Sequence, residues 1–171
     1  MQSIAFKTAF DELMILEGGY INDSLDKGGE TKYGICKKSY PDLDIVNLTV
    51  DDAKIIYYRD FWNKYDYDTI LDSRIAKKVF HMTVNAGAKQ SHLILQRALR
   101  ATGILDQTSI SDTTLDSNIN LIRYCNIVDS NLLSAALRSE LAGFYRLVIK
   151  NNPTQEKFRN SWMKRAYDDF Q

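Results

Sequence analysis

Ile4, Phe6, Phe10, Leu13, Met14 and Leu16 recur at helical spacing, which predicts an amphipathic first helix with Glu17 in its last turn and Gly18 or Gly19 closing it. The periodicity then stops. Asn22-Asp23-Ser24 and Lys27-Gly28-Gly29 are clusters of turn formers, and Thr31-Lys32-Tyr33-Gly34-Ile35 reads as an edge of a small hairpin around 28–36. After the break at Tyr40-Pro41-Asp42-Leu43, Leu48-Thr49 followed by Asp51 and Asp52 predicts a capped helix start. Ala53, Ile56, Tyr57 and Phe61 form its buried stripe to about residue 63, leaving Lys54 and Asp60 for solvent.

Helices dominate the second half of the chain as well. Asp72-Ser73 is a cap, with Ile75, Ala76, Val79, Phe80 and Val84 as core positions before Gly87. A helix over 91–102 carries Leu93, Ile94, Leu95, Ala98 and Leu99 on several sides and is expected at the centre. Turn residues over 103–111 mark a boundary, followed by one or two short helices through Leu115, Ile119, Leu121, Ile122 and Tyr124. A longer helix over 132–150 places Leu133, Ala136, Leu137, Leu141, Tyr145 and Val148 inward, and Asn151-Asn152-Pro153 stops it. Phe158, Trp162, Met163 and Tyr167 belong to a last helix. Trp62 and Trp162 read as core residues. The fold class is therefore mainly α with one small β-hairpin.

With 171 residues the chain can bury a core without covalent staples, and its two cysteines, Cys36 and Cys125, read as free thiols. Lys plus Arg and Asp plus Glu are balanced at 22 each, which removes the positive field that nucleic-acid binding requires. The two histidines, His81 and His92, lack ligand spacing, so neither a metal nor another cofactor is expected. The N-terminus shows no basic region followed by an apolar run, and no stretch reaches the roughly 18 apolar residues of a membrane span. The expectation is a monomer made in the bacterial cytoplasm without a signal peptide and without stable membrane insertion.

The non-periodic segment holds the candidate chemistry. A carboxylate at a helix C-terminus meets the negative end of the macrodipole, which raises its pKa and suits Glu17 to general-acid work. Glycosidic bond hydrolysis also needs a second group to stabilise or attack the oxocarbenium-like centre. Asp26, nine residues after Glu17, can supply it, with Asp23 as the competing carboxylate. The Thr31 hydroxyl is available to position a water. Tyr20 and Tyr33 offer flat rings for sugar faces, and Asn85 can hydrogen-bond an N-acetyl group or cap its helix. Serine nucleophiles lack an elbow context, and Cys36 has no histidine near it in sequence, so amidase and peptidase chemistry is disfavoured.

The spacing of Glu17, Asp26 and Thr31, followed by Gly34-Ile35, resembles the active-site layout of phage-type lysozymes. The wording Glu17-Gly18-Gly19-Tyr20, Asn22-Asp23, Asp26-Lys27-Gly28-Gly29, Thr31, Gly34-Ile35 resembles glycoside hydrolase family 108, N-acetylmuramidases used as phage endolysins and in toxin or chitinase secretion. Tyr58-Arg59-Asp60-Phe61-Trp62, Val84-Asn85-Ala86-Gly87 and Leu95-Gln96-Arg97-Ala98-Leu99 follow in the family's order. Ser24 departs from it where members often carry proline, and the loop at 106–111 lacks the usual Asp-Gly and Gly-Pro wording. The resemblance implies a lysozyme-like muramidase part over 1–102 and a C-terminal helical peptidoglycan-binding part over 103–171, packed into one globule. It implies Glu17, Asp26 and Thr31 as catalytic residues, and Tyr20, Asp23, Tyr33, Gly34 and Asn85 as substrate contacts. Peptidoglycan glycan strands are the implied partner, cleaved in the periplasm for lysis or toxin release, with a holin as the implied export route. A lytic transglycosylase and a non-catalytic wall-binding secretion helper are the rival readings.

Overall fold

Ser3 caps the first helix, α1 (Ile4–Leu16): its Oγ accepts from the Phe6 amide at 3.1 Å, satisfying one of the donors that a helix start leaves open. The computed structural model describes residues 2–16, 29–105, 115 and 120–168, with the Leu16 side chain outside that set. By its internal contacts the chain divides into two units, Met1–Tyr65 and Asp66–Gln171. That division is one of packing and assigns no activity to either unit.

In the first unit, β1 (Thr31–Lys32) and β2 (Ile35–Cys36) pair antiparallel, Thr31 opposite Cys36 and Lys32 opposite Ile35. Then comes α2 (Val50–Tyr57), opened by a reciprocal box in which Thr49 Oγ1 accepts from the Asp52 amide and Asp52 accepts from the Thr49 amide. The core is aromatic: Phe6 lies edge-on to Tyr58 and Trp62, with centroids 5.0 and 5.5 Å away, and Phe10 meets Tyr57 at 5.9 Å.

Three expectations fail here. Ile4 is 82% exposed, because Phe6, Ala9, Phe10 and Leu13 alone make the inward stripe. The helix expected to run unbroken to 63 instead turns π-helical over Tyr58–Trp62, then 3-10 over Asn63–Tyr65. One extra residue per turn moves the inward position from Phe61 to Trp62, which is fully buried while Phe61 is only half-buried. Lys54, expected in solvent, lays its ammonium 5.2 Å above the Phe10 ring and 3.7 Å from Asp11.

The second unit contains α3 (Ser73–Ala86), α4 (Ala88–Ala101), α5 (Leu121–Tyr124), α6 (Ser130–Asn151) and α7 (Arg159–Tyr167), the last preceded by a 3-10 stretch, Pro153–Phe158. Asp72, Asn120, Asp129 and Asn152 cap α3, α5, α6 and the 3-10 stretch. As expected, α4 is central and packs on α3, α5 and α6. It starts at Ala88, three residues before the expected position, since Gly87 at φ 80 ends α3 and opens α4 in a conformation a side chain would strain. On α6, Leu133, Leu137, Leu141 and Tyr145 are buried as expected, with Ile149 in place of Val148. Trp162 is half-buried rather than core, stacked between Tyr145 and Phe158 at centroid distances of 5.0 and 5.5 Å. Buried Lys78 donates to the carbonyls of Arg165, Ala166 and Asp168 at 2.9, 2.8 and 3.2 Å, closing the end of α7. The expected loop at 103–111 is described only to Leu105, and Ile119 lies outside the described residues. The chain is mainly α with one small hairpin.

Candidate functional site

Tyr33 and Gly34 join the two strands, with φ of 54 and 76. Positive φ at both central residues is the signature of the type I′ turn, whose twist matches that of the strands it joins. Tyrosine is a strained choice at such a position. The turn is tied down from α2: the Tyr57 hydroxyl donates to the Tyr33 carbonyl at 3.0 Å. The hairpin is fixed to the following loop by two lysines, Lys32 Nζ donating to the Val46 carbonyl at 2.8 Å and Lys37 Nζ to that of Leu43 at 2.7 Å. Buried Ile35 anchors it from below, and the Lys37 amide extends the ladder to the Glu30 carbonyl at 2.8 Å.

Thr31 therefore stands on a well-fixed strand. Its hydroxyl donates to the Gly29 carbonyl at 3.2 Å, so its lone pairs remain open to accept a hydrogen bond from a water. Thr31 and Tyr33 are half-buried and Gly34 is exposed. Glu17, Tyr20, Asp23 and Asp26 lie outside the described residues, as do the turn clusters between them. In sequence, Glu17 directly follows the last residue of α1, and Asp26 precedes Gly29 by three positions.

Beyond β2, the Tyr40 hydroxyl donates to Asp60 at 2.9 Å, while Arg59 grips the same carboxylate with Nε and Nη2 at 2.6 and 2.7 Å. The Arg59 hydrogen bonds hold the Asp60 carboxyl below the usual carboxylate range. Burial, then the Asp60 charge, push the Tyr40 hydroxyl up, so it remains a donor. Cys36 and Cys125 are both free thiols. Burial pushes Cys125 up to about 12, which removes its nucleophilic form at neutral pH.

In the second unit, Asn85 is exposed on the last turn of α3, and its side-chain oxygen accepts from the Tyr145 hydroxyl at 2.7 Å. Burial raises that hydroxyl to about 12, so it stays a donor and leaves the Asn85 amide group free to donate outward. Beside it, at the α3–α4 joint, a groove of about 560 Å³ is lined by Gly87, Ala88, Lys89, Gln90, Leu93 and Arg97. Arg97 Nε is 2.9 Å from Glu140 on α6. Behind the groove a buried set of hydroxyls converges: Tyr67 contacts Thr83 at 2.6 Å and His92 Nε2 at 2.9 Å, and Thr83 donates to Ser91 at 3.0 Å. Burial holds the His92 pKa below its ordinary value. Sequence reasoning missed Tyr57, Tyr67 and the groove. For the groove alone a signal existed, in the polar Lys89 and Gln90 directly after the Gly87 joint.

The family model for glycosyl hydrolase 108 matches residues 10–87. Among solved structures, that titled "Structure of Brucella abortus SagA" matches at TM-score 0.70 and 20% identity, covering 94% of this chain and 88% of that one, a likeness of fold. No curated protein sequence matches the chain.

Proposed function

We propose that this mainly helical chain, which matches the glycosyl hydrolase 108 family model over residues 10–87, is a glycoside hydrolase directed at peptidoglycan that hydrolyses the β-1,4 bond between N-acetylmuramic acid and N-acetylglucosamine. The observation that carries this reading is the span of the family match, 10–87, which takes in Glu17, Asp26, Thr31 and Asn85 together.

Glu17 is the general acid that protonates the leaving glycosidic oxygen. In sequence it directly follows α1, and a carboxyl at the negative end of a helix dipole would be held toward its protonated form. Asp26 stabilises the oxocarbenium-like centre, with Asp23 beside it in the same segment as a substrate contact. Thr31 orients the attacking water. Its own proton is engaged by the Gly29 carbonyl, so it accepts from the water rather than donating to it. Tyr20, Tyr33 and Gly34 face the sugar, and the Asn85 amide donates to an N-acetyl carbonyl. The C-terminal part over 103–171 helps to hold the glycan strand. The protein acts as a monomer, in lysis or in release of a protein toxin across the wall, with a holin-type pore giving access to the substrate. Among the described residues no helix is long and apolar enough to cross a membrane.

Mass spectrometry of soluble fragments from purified peptidoglycan tests this reading. Wild type is expected to leave reducing-end muramic acid. Glu17→Gln keeps the fold but loses about 10²–10⁴-fold in rate, because the amide cannot supply the proton. Anhydro-muramic ends would instead mark a transglycosylase, and undiminished turnover by Glu17→Gln would sink the role given to Glu17.

A further inference from the structure

We propose that Tyr57 is a positioning residue for this hydrolysis, its buried hydroxyl fixing the hairpin that carries Thr31 against the helix that leads into Glu17. The inference rests on the roles proposed above for Glu17 and Thr31.

Tyr57 is 1% exposed and touches both elements. Its ring lies 5.9 Å from that of Phe10 on α1, centroid to centroid, and its hydroxyl donates to the Tyr33 carbonyl at 3.0 Å. That carbonyl belongs to the central peptide of the hairpin turn, which points away from the strand ladder and cannot be satisfied by it. A hairpin only two residues long on each side has few ladder bonds of its own to fix its position. The Tyr57 hydroxyl ties the turn, and with it the hairpin, to α2 by holding this carbonyl. Thr31 lies two residues before Tyr33, so the bond sets where the Thr31 hydroxyl stands relative to α1. Displacing a reacting or orienting group by about 1 Å is enough to cost on the order of 10²-fold in rate. Nothing in this argument requires Tyr57 to touch substrate.

The test is a double-mutant cycle in the full-length protein, using Tyr57→Phe and Thr31→Ala. Phenylalanine keeps the ring against Phe10 and removes only the hydroxyl. Tyr57→Phe is expected to lower kcat about tenfold with KM within about twofold, and to add little to the loss already caused by Thr31→Ala. Amide exchange over residues 31–36 should accelerate in Tyr57→Phe while α1 keeps its protection, a readout that holds even if the rate assay is limited by fold. A kcat equal to wild type, losses that simply add, or unchanged exchange in the hairpin would overturn the proposal. Its failure is distinguishable from failure of the underlying reading: an inactive Glu17→Gln beside a fully active Tyr57→Phe removes Tyr57 alone, whereas an active Glu17→Gln removes the reading beneath it.

Discussion

In the first unit, elements of two to thirteen residues are joined by side chains that donate to stray backbone carbonyls: Lys32 to Val46, Lys37 to Leu43, Tyr57 to Tyr33. In the second, helices of up to 22 residues satisfy their own backbones, and buried hydroxyls bond one another instead, through Tyr67, Thr83, Ser91 and His92. Buried backbone groups must find partners in either case. Where regular structure is short, cations and phenols substitute for the missing ladder. The hairpin is consequently held by a handful of separable bonds, while the helical unit is held by packing with a polar patch inside it. The same device appears in the second unit where regular structure runs out, Lys78 donating to carbonyls at the end of α7 and Asn126 Nδ2 to the Thr69 carbonyl at 2.8 Å.

The contrast can be broken most forcefully at Trp62, the fully buried centre of the aromatic core. Trp62→Ala should cost about 3–5 kcal/mol by denaturant unfolding, with faster amide exchange in residues 2–65, because a ring-sized cavity has no polar bonds to fall back on. Lys78→Met keeps the length of the side chain but leaves three carbonyls without its ammonium, and a loss of about 2 kcal/mol is expected, with protection falling first over α7. Tyr67→Phe removes one hydroxyl from the buried set and should cost about 1–2 kcal/mol.

His92 adds a pH dependence to that set. Burial lowers its folded pKa below the ordinary 6.5, so the unfolded chain takes up the proton more readily. Its contribution to stability is therefore complete above pH 6.5 and lost as the pH falls toward the folded value. Melting curves between pH 7.5 and 4.5 should show this slope in wild type and a flatter one in His92→Gln; a slope unaltered by the substitution would exclude His92 as its source. Ser3→Ala should be mildest, about 1 kcal/mol, seen as fraying of the first turn of α1.

What the sequence reveals follows the same division. The caps at Thr49 and Asp72, the stop at Asn152-Pro153 and the inward row Leu133, Leu137, Leu141, Tyr145 are all local or periodic, and they were legible. A hairpin near 28–36 was legible, but the stretch 31–35, read as one edge, holds the turn itself at Tyr33-Gly34 between two strands, because a tyrosine at positive φ gives no turn signal in sequence. The bond from Tyr57 was not, because it joins residues 24 apart and no spacing rule connects a helix phenol to a turn carbonyl. Ile4 misled because apolar character alone does not say which face of α1 is covered, and Trp162 because an aromatic ladder can reach the surface.

The π-helical turn at Tyr58–Trp62 has a consequence for how this chain is matched to its relatives. An i to i+5 turn holds one residue more than an α turn, so it behaves as a single insertion absorbed without breaking the helix. Against a homologue whose helix runs unbroken, the correct pairing needs a one-residue gap inside this turn. Without that gap Phe61 would be paired with the partner of Trp62, and every position from there to the end of the helix would be read one step out of phase.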